Sequence, residues 1–286
     1  MYSIDLAKLD YKIKMDMEFF LNSEDMDLDT FSMATGISRN TFYEILKTNS
    51  TVELVYEKFY SYLYNSSYII NKAKEYCFKK TNKLILFHGS KYGISELKSD
   101  SSRETCDFGK GFYLGEKYDN ALSFVCDNDN SSIYMFDLDL NDLNVIKLEC
   151  SLEWLLLICH HRRTIEEYEN SDILKGLIKK IEEADVIISP IADNRMYYIM
   201  TLFANGDINH EVALNSLAAS DLGLQYVIKT DKALKHLKPL EKLYLSKKEK
   251  EESHQKLSER ASFIDNKIKT AKRNYKDGKY IEEILL

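Results

Sequence analysis

The pattern of the sequence changes at Leu84. Before it, apolar residues recur at helical spacing, whereas after it short runs rich in β-branched and aromatic residues alternate with helical stretches. The β-type runs are LILFH, KGFYL, SIYMFDLDL, NVIKL, DVIISPI, LQYVIK and EKLYLS. The helical stretches predicted between them are Tyr118 to Cys126, Leu152 to Arg163, Ile173 to Glu183, Met196 to Ala204, His210 to Ala218 and Lys232 to Leu237. Because the β-type runs alternate in polarity and their connections are irregular, we expect a mixed, largely antiparallel sheet rather than a doubly wound parallel one.

The patterns divide the chain into three predicted parts. They are a helical domain at 1–80, an α+β domain at 84–245 and a charged amphipathic helical tail at 246–286. In the tail, apolar residues at spacings of four and three form one stripe of a long helix: Leu257, Ala261, Ile264, Ile268, Ala271 and Tyr275. Such a stripe docks against the body of the protein or against a partner helix, and the tail could support a homodimer. The chain has only 2 prolines, so we expect helical or very short junctions.

Composition and cysteine usage are those of a folded cytoplasmic protein. No apolar run reaches the roughly 18 residues of a membrane helix, and the N-terminal segment does not read as a signal peptide. The 5 cysteines form no CxxC pair, and the adjacent His160 and His161 would project about 100° apart on a helix. We therefore expect reduced thiols and no metal site. The net charge of −7 gives no general nucleic-acid signature, although the tail is locally basic.

The segment DTFSMATGISRNTFYEIL predicts two short helices joined by a tight turn. Gly36 suits a left-handed turn position, and Ser38 suits the N-cap of the second helix. The pattern Ala34, Gly36, Ile37, Ser38, Arg39 and Thr41 resembles repressor-type helix-turn-helix domains. That resemblance implies a DNA contact through Arg39, Asn40, Tyr43 and Lys47. The alternative is a module for dimerisation or partner binding, because the acidic EDMDLD at 24–29 would repel phosphate.

Three short segments of the α+β domain combine residue types that bind ligands. Phe87-His88-Gly89-Ser90 ends the first β-type run, DFGKGFYL at 107–114 precedes a helix, and LGLQYVI at 222–228 is a late run. Each segment alone is weak evidence for a binding site, because a strand-end histidine is often structural and Gly-x-Gly is often a simple turn. The sequence has no GxGxxG or GxxxxGK[ST] phosphate loop.

Together and in this order, the segments resemble the ADP-ribosyltransferase superfamily, on its diphtheria-toxin and poly(ADP-ribose) polymerase side. His88 and Gly89 resemble its His-Gly-[Ser/Thr] motif, and Tyr113 resembles the tyrosine of Gly-x-Gly-[Ile/Phe]-Tyr. Gln225 stands where the family often has Glu. The resemblance extends to a poorly characterised bacterial branch through Trp154, the stretch 192–195 and LGLQYVIKTDKAL. It covers about 84–245 and implies an ADP-ribosyltransferase-like split sheet with flanking helices.

The resemblance also implies NAD as the substrate. The implied catalytic residues are His88, Tyr113 and Gln225, and the implied NAD-binding residues are His88, Gly89, Ser90, Arg103, Gly111 and Tyr113. In this scheme the Gly89 backbone holds the carboxamide of nicotinamide, and His88 hydrogen-bonds the adenosine-side ribose. Ser90 holds the other ribose or shapes the loop. Tyr113 stacks on the nicotinamide ring, Gly109 and Gly111 let the backbone approach the ligand, and Phe112 points into the core.

Gln225 departs from the family pattern in a way that bears on chemistry. An amide keeps hydrogen bonding, but it carries no charge and cannot act as a base. Three consequences stay open: an acceptor that is already nucleophilic, another acid such as Asp193, Asp107 or Glu104, or weak or absent turnover. The preferred hypothesis is transfer of ADP-ribose from NAD to a nucleic acid or protein. The alternatives are a non-catalytic NAD-sensing DNA-binding regulator and a toxin or phage-defence effector.

Overall fold

The chain forms an α+β structure in the computed structural model, which describes residues 9–192, 196–218, 223–261 and 264–286. It divides into two compact units, each built from separate stretches of sequence. The first unit contains Met1–Glu96, Lys117–Leu138 and Lys238–Lys256. The second contains Leu97–Glu116, Asp139–Leu237 and Leu257–Leu286.

Helices account for about half of the described residues. Those of the first unit are α1 (Ile13–Ser23), α2 (Leu28–Thr35), α3 (Arg39–Thr48), α4 (Glu53–Asn65), α5 (Ile70–Lys79), α6 (Tyr118–Val125) and most of α12 (Lys247–Ala261). Those of the second unit are α7 (Leu152–His161), α8 (Asp172–Glu182), α9 (Tyr197–Ala204), α10 (His210–Ala218), α11 (Asp231–Leu234), α13 (Ile264–Asn274) and α14 (Ile281–Leu285). A 3-10 turn spans Glu166–Tyr168.

The strands are mostly antiparallel. They are β1 (Ile85–Ser90), β2 (Phe112–Gly115), β3 (Ser132–Leu138), β4 (Val145–Lys147), β5 (Val186–Pro190), β6 (Leu224–Ile228) and β7 (Leu237–Leu243). The first unit holds the order β1-β3-β7, with β1 and β3 antiparallel. The second holds β4-β5-β6-β2, in which only β4 and β5 are parallel among the described strands. The predicted mixed, largely antiparallel character is confirmed.

An aromatic core holds the N-terminal helices of the first unit together. Phe31 lies between the rings of Phe20, Phe42 and Phe59, at centroid distances of 5.4, 5.1 and 5.8 Å. Phe31, Phe42 and Phe59 are completely buried. Burial of such rings provides the main favourable free energy for packing short helices, which are marginal alone. The predicted helical character of the N-terminal region is confirmed.

The turn between α2 and α3 has the predicted geometry. Gly36 ends α2 with a left-handed φ of 63°, a conformation that a β-carbon disfavours. The side chain of Ser38 accepts a hydrogen bond from the backbone N–H of Thr41 and so caps α3. Around this turn Phe31, Ile37, Phe42 and Ile45 are buried, whereas Ala34 is exposed.

One predicted boundary is wrong, at the end of the α+β region. The helix expected over Lys232 to Leu237 ends at Leu234, and β7 then begins at Leu237 and ends at Leu243. The strand passes through Pro239, which removes one backbone donor. β7 is the last strand of its order, so only one of its two edges borders another strand, and this is the position in a sheet where proline is tolerated.

The C-terminal tail contributes to the core of the second unit. Ile268 and Ala271 of α13, and Ile281 and Leu285 of α14, are buried in the same cluster as Trp154. Docking on the body of the protein, one of the two predicted uses of the stripe, is therefore observed for Ile268 and Ala271. The side chains of Ala261 and Ile264, two further members of the stripe, lie outside the described part of the structure.

The cysteines are all unpaired, as expected from their irregular spacing. Within 9–192, 196–218, 223–261 and 264–286, no helix combines the length and apolar character that crossing a bilayer requires.

Candidate functional site

The site residues implied by the resemblance are distributed over both units. His88, Gly89 and Ser90 lie on β1 in the first unit, whereas Arg103, Gly111, Tyr113 and Gln225 lie in the second.

Gly89 is required by packing inside the first unit. A β-carbon at this position would lie 2.6 Å from the carbonyl oxygen of Ala121 and 2.8 Å from Cγ1 of Val125. Both contacts belong to α6, which therefore packs directly on β1 where Gly89 has no side chain. The glycine of the His-Gly-Ser segment thus has a structural cause that involves no ligand.

Ser90 shapes the loop that follows β1. Its hydroxyl donates to the carbonyl oxygen of Gly93 over 2.7 Å. Tyr134, which lies opposite His88 in the antiparallel pairing, accepts a hydrogen bond from the backbone N–H of Ile94 over 3.1 Å. The hydrogen bond of Ser90 fits the predicted role in shaping the loop, and its predicted contact with a ribose stays a prediction. The half-buried His88 lies two residues before Ser90 on β1.

Tyr113 and Gln225 project from the same face of two neighbouring strands in the second unit. In the antiparallel pairing of β2 with β6, Tyr113 lies opposite Val227 and Gly115 lies opposite Gln225. Opposite residues share a face, and so do residues two apart on one strand. The two side chains are therefore diagonal neighbours, separated by 112 positions in sequence but adjacent on the sheet surface.

Gln225 donates a hydrogen bond to Asp107, which also forms a buried ion pair with Arg162. Its Nε2 donates to Oδ2 of Asp107 over 2.8 Å and to the carbonyl oxygen of Pro190 over 3.1 Å. The other carboxylate oxygen of Asp107 accepts from Nε and Nη2 of Arg162, at 2.9 and 2.5 Å. Asp107 and Gln225 are each only 6% exposed. Because both amide hydrogens have acceptors, Oε1 is the end of Gln225 that can accept a hydrogen bond.

The hydroxyl of Tyr113 binds the backbone of the loop that precedes β2, residues 107–111, which we call the glycine loop. It accepts from the backbone N–H of Phe108 over 3.0 Å and donates to the carbonyl oxygen of Gly109 over 2.8 Å. Burial raises the pKa of Tyr113, so the phenol keeps its proton at neutral pH. We call Asp107, Arg162, Gln225 and Tyr113 the Asp107 cluster.

Further hydrogen bonds fix the glycine loop. The ammonium group of Lys229 donates to the carbonyl oxygens of Phe108 and Lys110, at 2.6 and 2.5 Å. The hydroxyl of Ser102 accepts from the N–H of Gly111 and donates to the carbonyl oxygen of Gly109. Burial lowers the pKa of Lys229. Hydrogen bonds therefore hold each residue of the loop from 107 to 111.

The two glycines of the loop have internal causes. Gly109 has a left-handed φ of 68°, and a β-carbon there would lie 3.3 Å from Nδ1 of His161. A β-carbon on Gly111 would lie 2.6 Å from Cγ1 of Val227. Packing inside the protein is therefore enough to explain both glycines. Their predicted use, which is to let the backbone approach a ligand, stays a prediction. Phe112 is buried, as expected from strand alternation.

The predicted charged residues around the loop occupy different settings. Arg103 is exposed in the segment before the loop. Glu104 is also exposed and lies 3.4 Å from both Lys110 and Arg163, so its charge is shared by two cations. Asp193 and Arg195 lie outside the described residues. Of the acids considered as substitutes for the family glutamate, Asp107 is the one with an observed contact to Gln225.

Comparison with known proteins identifies the α+β segment. A family model described as "Protein of unknown function (DUF3990)" matches residues 84–238, slightly more than half of the chain. The chain belongs to the DUF3990 family. No curated protein and no solved structure matches it. The DUF3990 segment contains the whole Asp107 cluster together with His88, whereas α1 to α5 and the tail lie outside the match.

Two residues of the DUF3990 segment were not singled out as site residues by the sequence. Arg162 stands at the C-cap of α7 and binds Asp107 and the carbonyl oxygen of Ala192. Its neighbour His161 approaches Gly109, and burial lowers the pKa of His161 to about 4. His161 Nε2 is buried without a hydrogen-bond partner in the described part of the chain. In the sequence these two residues are marked only as polar residues that end an otherwise apolar helix.

The predicted DNA-contact residues form a separate surface on α3. Arg39, Asn40, Tyr43 and Lys47 are all exposed. Nε of Arg39 lies 2.5 Å from Oδ1 of Asp29, so the first basic residue of α3 is already paired with an acid of α2. The face is therefore accessible, but part of its positive charge is neutralised.

Proposed function

We propose that the DUF3990 segment transfers ADP-ribose from NAD to a macromolecular acceptor, a nucleic acid or a protein. The observation that carries this proposal is the shared face of Tyr113 and Gln225 on β2 and β6, with Asp107 bound to Gln225. An aromatic ring beside an oriented hydrogen-bond acceptor is the arrangement that a flat cationic ring and its ribose require. The motif resemblance also implies a role for His88, which lies on β1 in the first unit.

The reaction breaks the bond between the ribose carbon and the nicotinamide nitrogen. The bonding electron pair leaves with nicotinamide, whose ring becomes neutral, and the ribose carbon develops positive charge as in glycoside cleavage. A lone pair of the acceptor forms the new bond to that carbon, and the acceptor's proton leaves to solvent. Gln225 cannot remove this proton, so the acceptor must itself be a good nucleophile.

Asp107 acts in this scheme as a positioning residue. Its charge is balanced by Arg162 and its carboxylate is engaged on both oxygens, so it does not serve as a base. By binding Nε2 it presents Oε1 of Gln225 as the acceptor for a ribose hydroxyl. The hydrogen bond supplies orientation, whereas the charge that a glutamate would add is absent.

Incubation of the full chain with NAD and a cell lysate tests the proposal. Mass spectrometry should find protein or nucleic acid carrying added ADP-ribose, together with released nicotinamide. Tyr113→Ala should lose the product, and Tyr76→Ala, which changes an exposed tyrosine of α5, should keep it. Nicotinamide release without any adduct would reject transfer and indicate hydrolysis, and absence of both would reject the enzyme.

A second candidate is an NAD-sensing DNA-binding regulator without chemistry. It is favoured by the α2-turn-α3 geometry, in which Gly36 and Ser38 adopt the predicted roles and the predicted contact residues are exposed. Binding of duplex DNA that weakens as salt is raised, changes with NAD and is lost in a double substitution Asn40→Ala and Lys47→Ala would support it. DNA binding that does not respond to NAD would remove the sensing role.

The transferase proposal also includes a toxin or phage-defence effector, in which the N-terminal helices select the target. Growth arrest on expression that Tyr113→Ala relieves would support the effector and count against the passive regulator. Equal growth with and without expression would argue against a toxic activity.

A further inference from the structure

Three groups that bind metals meet in the first unit, apart from the Asp107 cluster. They are the thiol of Cys126, the carboxylate of Asp127 and the imidazole of His254, whose ligand atoms all lie within 4.8 Å of one another. Cys126 and Asp127 directly follow α6, and His254 lies on α12, 127 positions after Asp127. The fold, and not a sequence motif, brings them together.

The separations differ from those of an occupied tetrahedral site by amounts that side-chain rotation can correct. Sγ of Cys126 lies 3.8 Å from Oδ1 of Asp127. Metal–ligand bonds of about 2.0 Å for nitrogen or oxygen and about 2.3 Å for sulfur place neighbouring ligand atoms roughly 3.3 to 3.6 Å apart. Nδ1 of His254 forms a short hydrogen bond with Oδ1 of Asp127, so this pair must open to admit an ion. The side chains of His254 and Asp127 are 66% and 64% exposed, so the opening disturbs no core packing.

The backbone around the three groups is held in place. Lys250, one turn before His254 on α12, donates to the carbonyl oxygens of Asn128 and Asp129, at 3.1 and 2.8 Å. Ser131 closes the same loop by donating to the carbonyl oxygen of Asn128 over 2.8 Å. The loop that carries Asp127 is thereby attached to the helix that carries His254. Such preorganisation lowers the ordering cost of binding an ion.

We propose that Cys126, Asp127 and His254 form a binding site for Zn²⁺, with a fourth position open to water or to an outside ligand. A thiolate, an imidazole and a carboxylate together suit zinc, whereas magnesium and calcium prefer sets made of oxygen alone. The thiolate of Cys126 and the carboxylate of Asp127 would balance the charge of the divalent ion. The positive charge of the Lys250 ammonium group lies nearby. The bound ion would link the end of α6 to α12. The proposal is independent of NAD chemistry.

Titration of the metal-free full chain with Co²⁺, followed by Zn²⁺, tests the site. We expect a thiolate-to-cobalt charge-transfer band that saturates at one equivalent and is displaced by Zn²⁺. We also expect Zn²⁺ to raise the thermal unfolding midpoint, because it binds the folded state. Cys126→Ser should remove the band, and His254→Gln, a change of an exposed side chain, should weaken Co²⁺ binding at least tenfold.

Cys77→Ser is the matched control, because Cys77 is an exposed thiol on α5 outside the cluster. This variant should bind Co²⁺ as the parent does. A band that persists in Cys126→Ser, or that disappears in Cys77→Ser, would overturn the proposal. Absence of a cobalt–thiolate band in the parent protein would leave Asp127 and His254 as an ordinary surface ion pair and would equally overturn it.

Discussion

Nε2 of Gln225 donates a 2.8 Å hydrogen bond to Oδ2 of Asp107, and this contact ties β6 to the glycine loop before β2. A glutamate at position 225 would place two carboxylates in contact, whereas the glutamine makes an amide–carboxylate contact. The amide at position 225 is therefore matched to its neighbour, and the carboxylate of Asp107 is in turn matched to Arg162. The effect of a substitution in this set on stability can therefore be predicted from the charge that it adds or removes.

Asp107→Asn should destabilise the protein by about 3–5 kcal/mol, because it removes one partner of a buried ion pair and leaves Arg162 without its counter-charge. Urea denaturation followed by circular dichroism measures the effect. Glu104→Gln serves as the control: Glu104 is 64% exposed beside Lys110 and Arg163, and its loss should change stability by less than about 0.5 kcal/mol. Equal effects of the two substitutions would contradict this account of the Asp107 cluster.

Gln225→Glu should not act as a simple restoration of the family glutamate. The new carboxylate would face Asp107 and the carbonyl oxygen of Pro190, with no donor to either, at a cost of about 2 kcal/mol near pH 7. Repulsion by Asp107 should raise the folded-state pKa of the introduced carboxyl group, so the stability deficit should shrink as the pH falls toward 5. Denaturation at several pH values measures it, with Gln255→Glu at an exposed position of α12 as the control. A deficit independent of pH would exclude the carboxylate contact.

Tyr113→Phe separates the two uses of this tyrosine. Loss of the hydroxyl removes the bonds to Phe108 and Gly109 and should cost about 1–3 kcal/mol of stability. If the ring stacks on nicotinamide, NAD affinity measured by calorimetry should fall less than tenfold in Tyr113→Phe and more than tenfold in Tyr113→Ala. Equal affinities of the parent and Tyr113→Ala would eliminate stacking.

Gly89→Ala should destabilise the first unit by about 1–3 kcal/mol, because the added methyl group would overlap the carbonyl oxygen of Ala121 and the side chain of Val125. Gly176→Ala is the matched comparison: this glycine lies within α8, and its β-carbon would meet nothing within 4 Å. That change should stabilise the protein by up to about 1 kcal/mol. Thermal or urea unfolding of both variants gives the comparison, and similar signs would contradict the packing described for α6.

Glu249→Gln tests a buried carboxyl group of the first unit. Glu249 accepts a hydrogen bond from the hydroxyl of Tyr118 over 2.9 Å, and burial raises the pKa of Glu249 to about 7. The folded state therefore holds the proton more tightly than the unfolded chain, and stability contributed by this group is lost as the pH rises from about 4.5 to about 7. The substitution should stabilise the protein by up to about 3 kcal/mol at pH 8 and have little effect at pH 4. The exposed Glu251→Gln should show no such pH dependence.

Local patterns were enough to predict most elements. Helices α6 to α10 begin and end within two residues of their predicted limits, because an apolar stripe and its caps are encoded within each segment. The turn from Gly36 to Ser38 was predictable for the same reason. The start of β7 was not, because tolerance of Pro239 depends on the strand's place at the end of its order.

The pairings within the candidate site could not be read from the sequence. Asp107 is 55 positions from Arg162 and 118 from Gln225, and no spacing rule connects residues so far apart. A single carboxylate with two different partners is specified only by the packing of α7 and β6 around the glycine loop. The grouping of Cys126 and Asp127 with His254 has the same origin.

The packing of α6 on Gly89 has a consequence for comparison of sequences. The carbonyl oxygen of Ala121 occupies the space that a side chain at position 89 would need. Any relative that keeps this helix against this strand must keep a glycine there, whether or not it binds a nucleotide. An invariant glycine after the histidine would therefore indicate that a relative keeps this packing of α6 on β1, and would not by itself indicate that the relative binds a nucleotide.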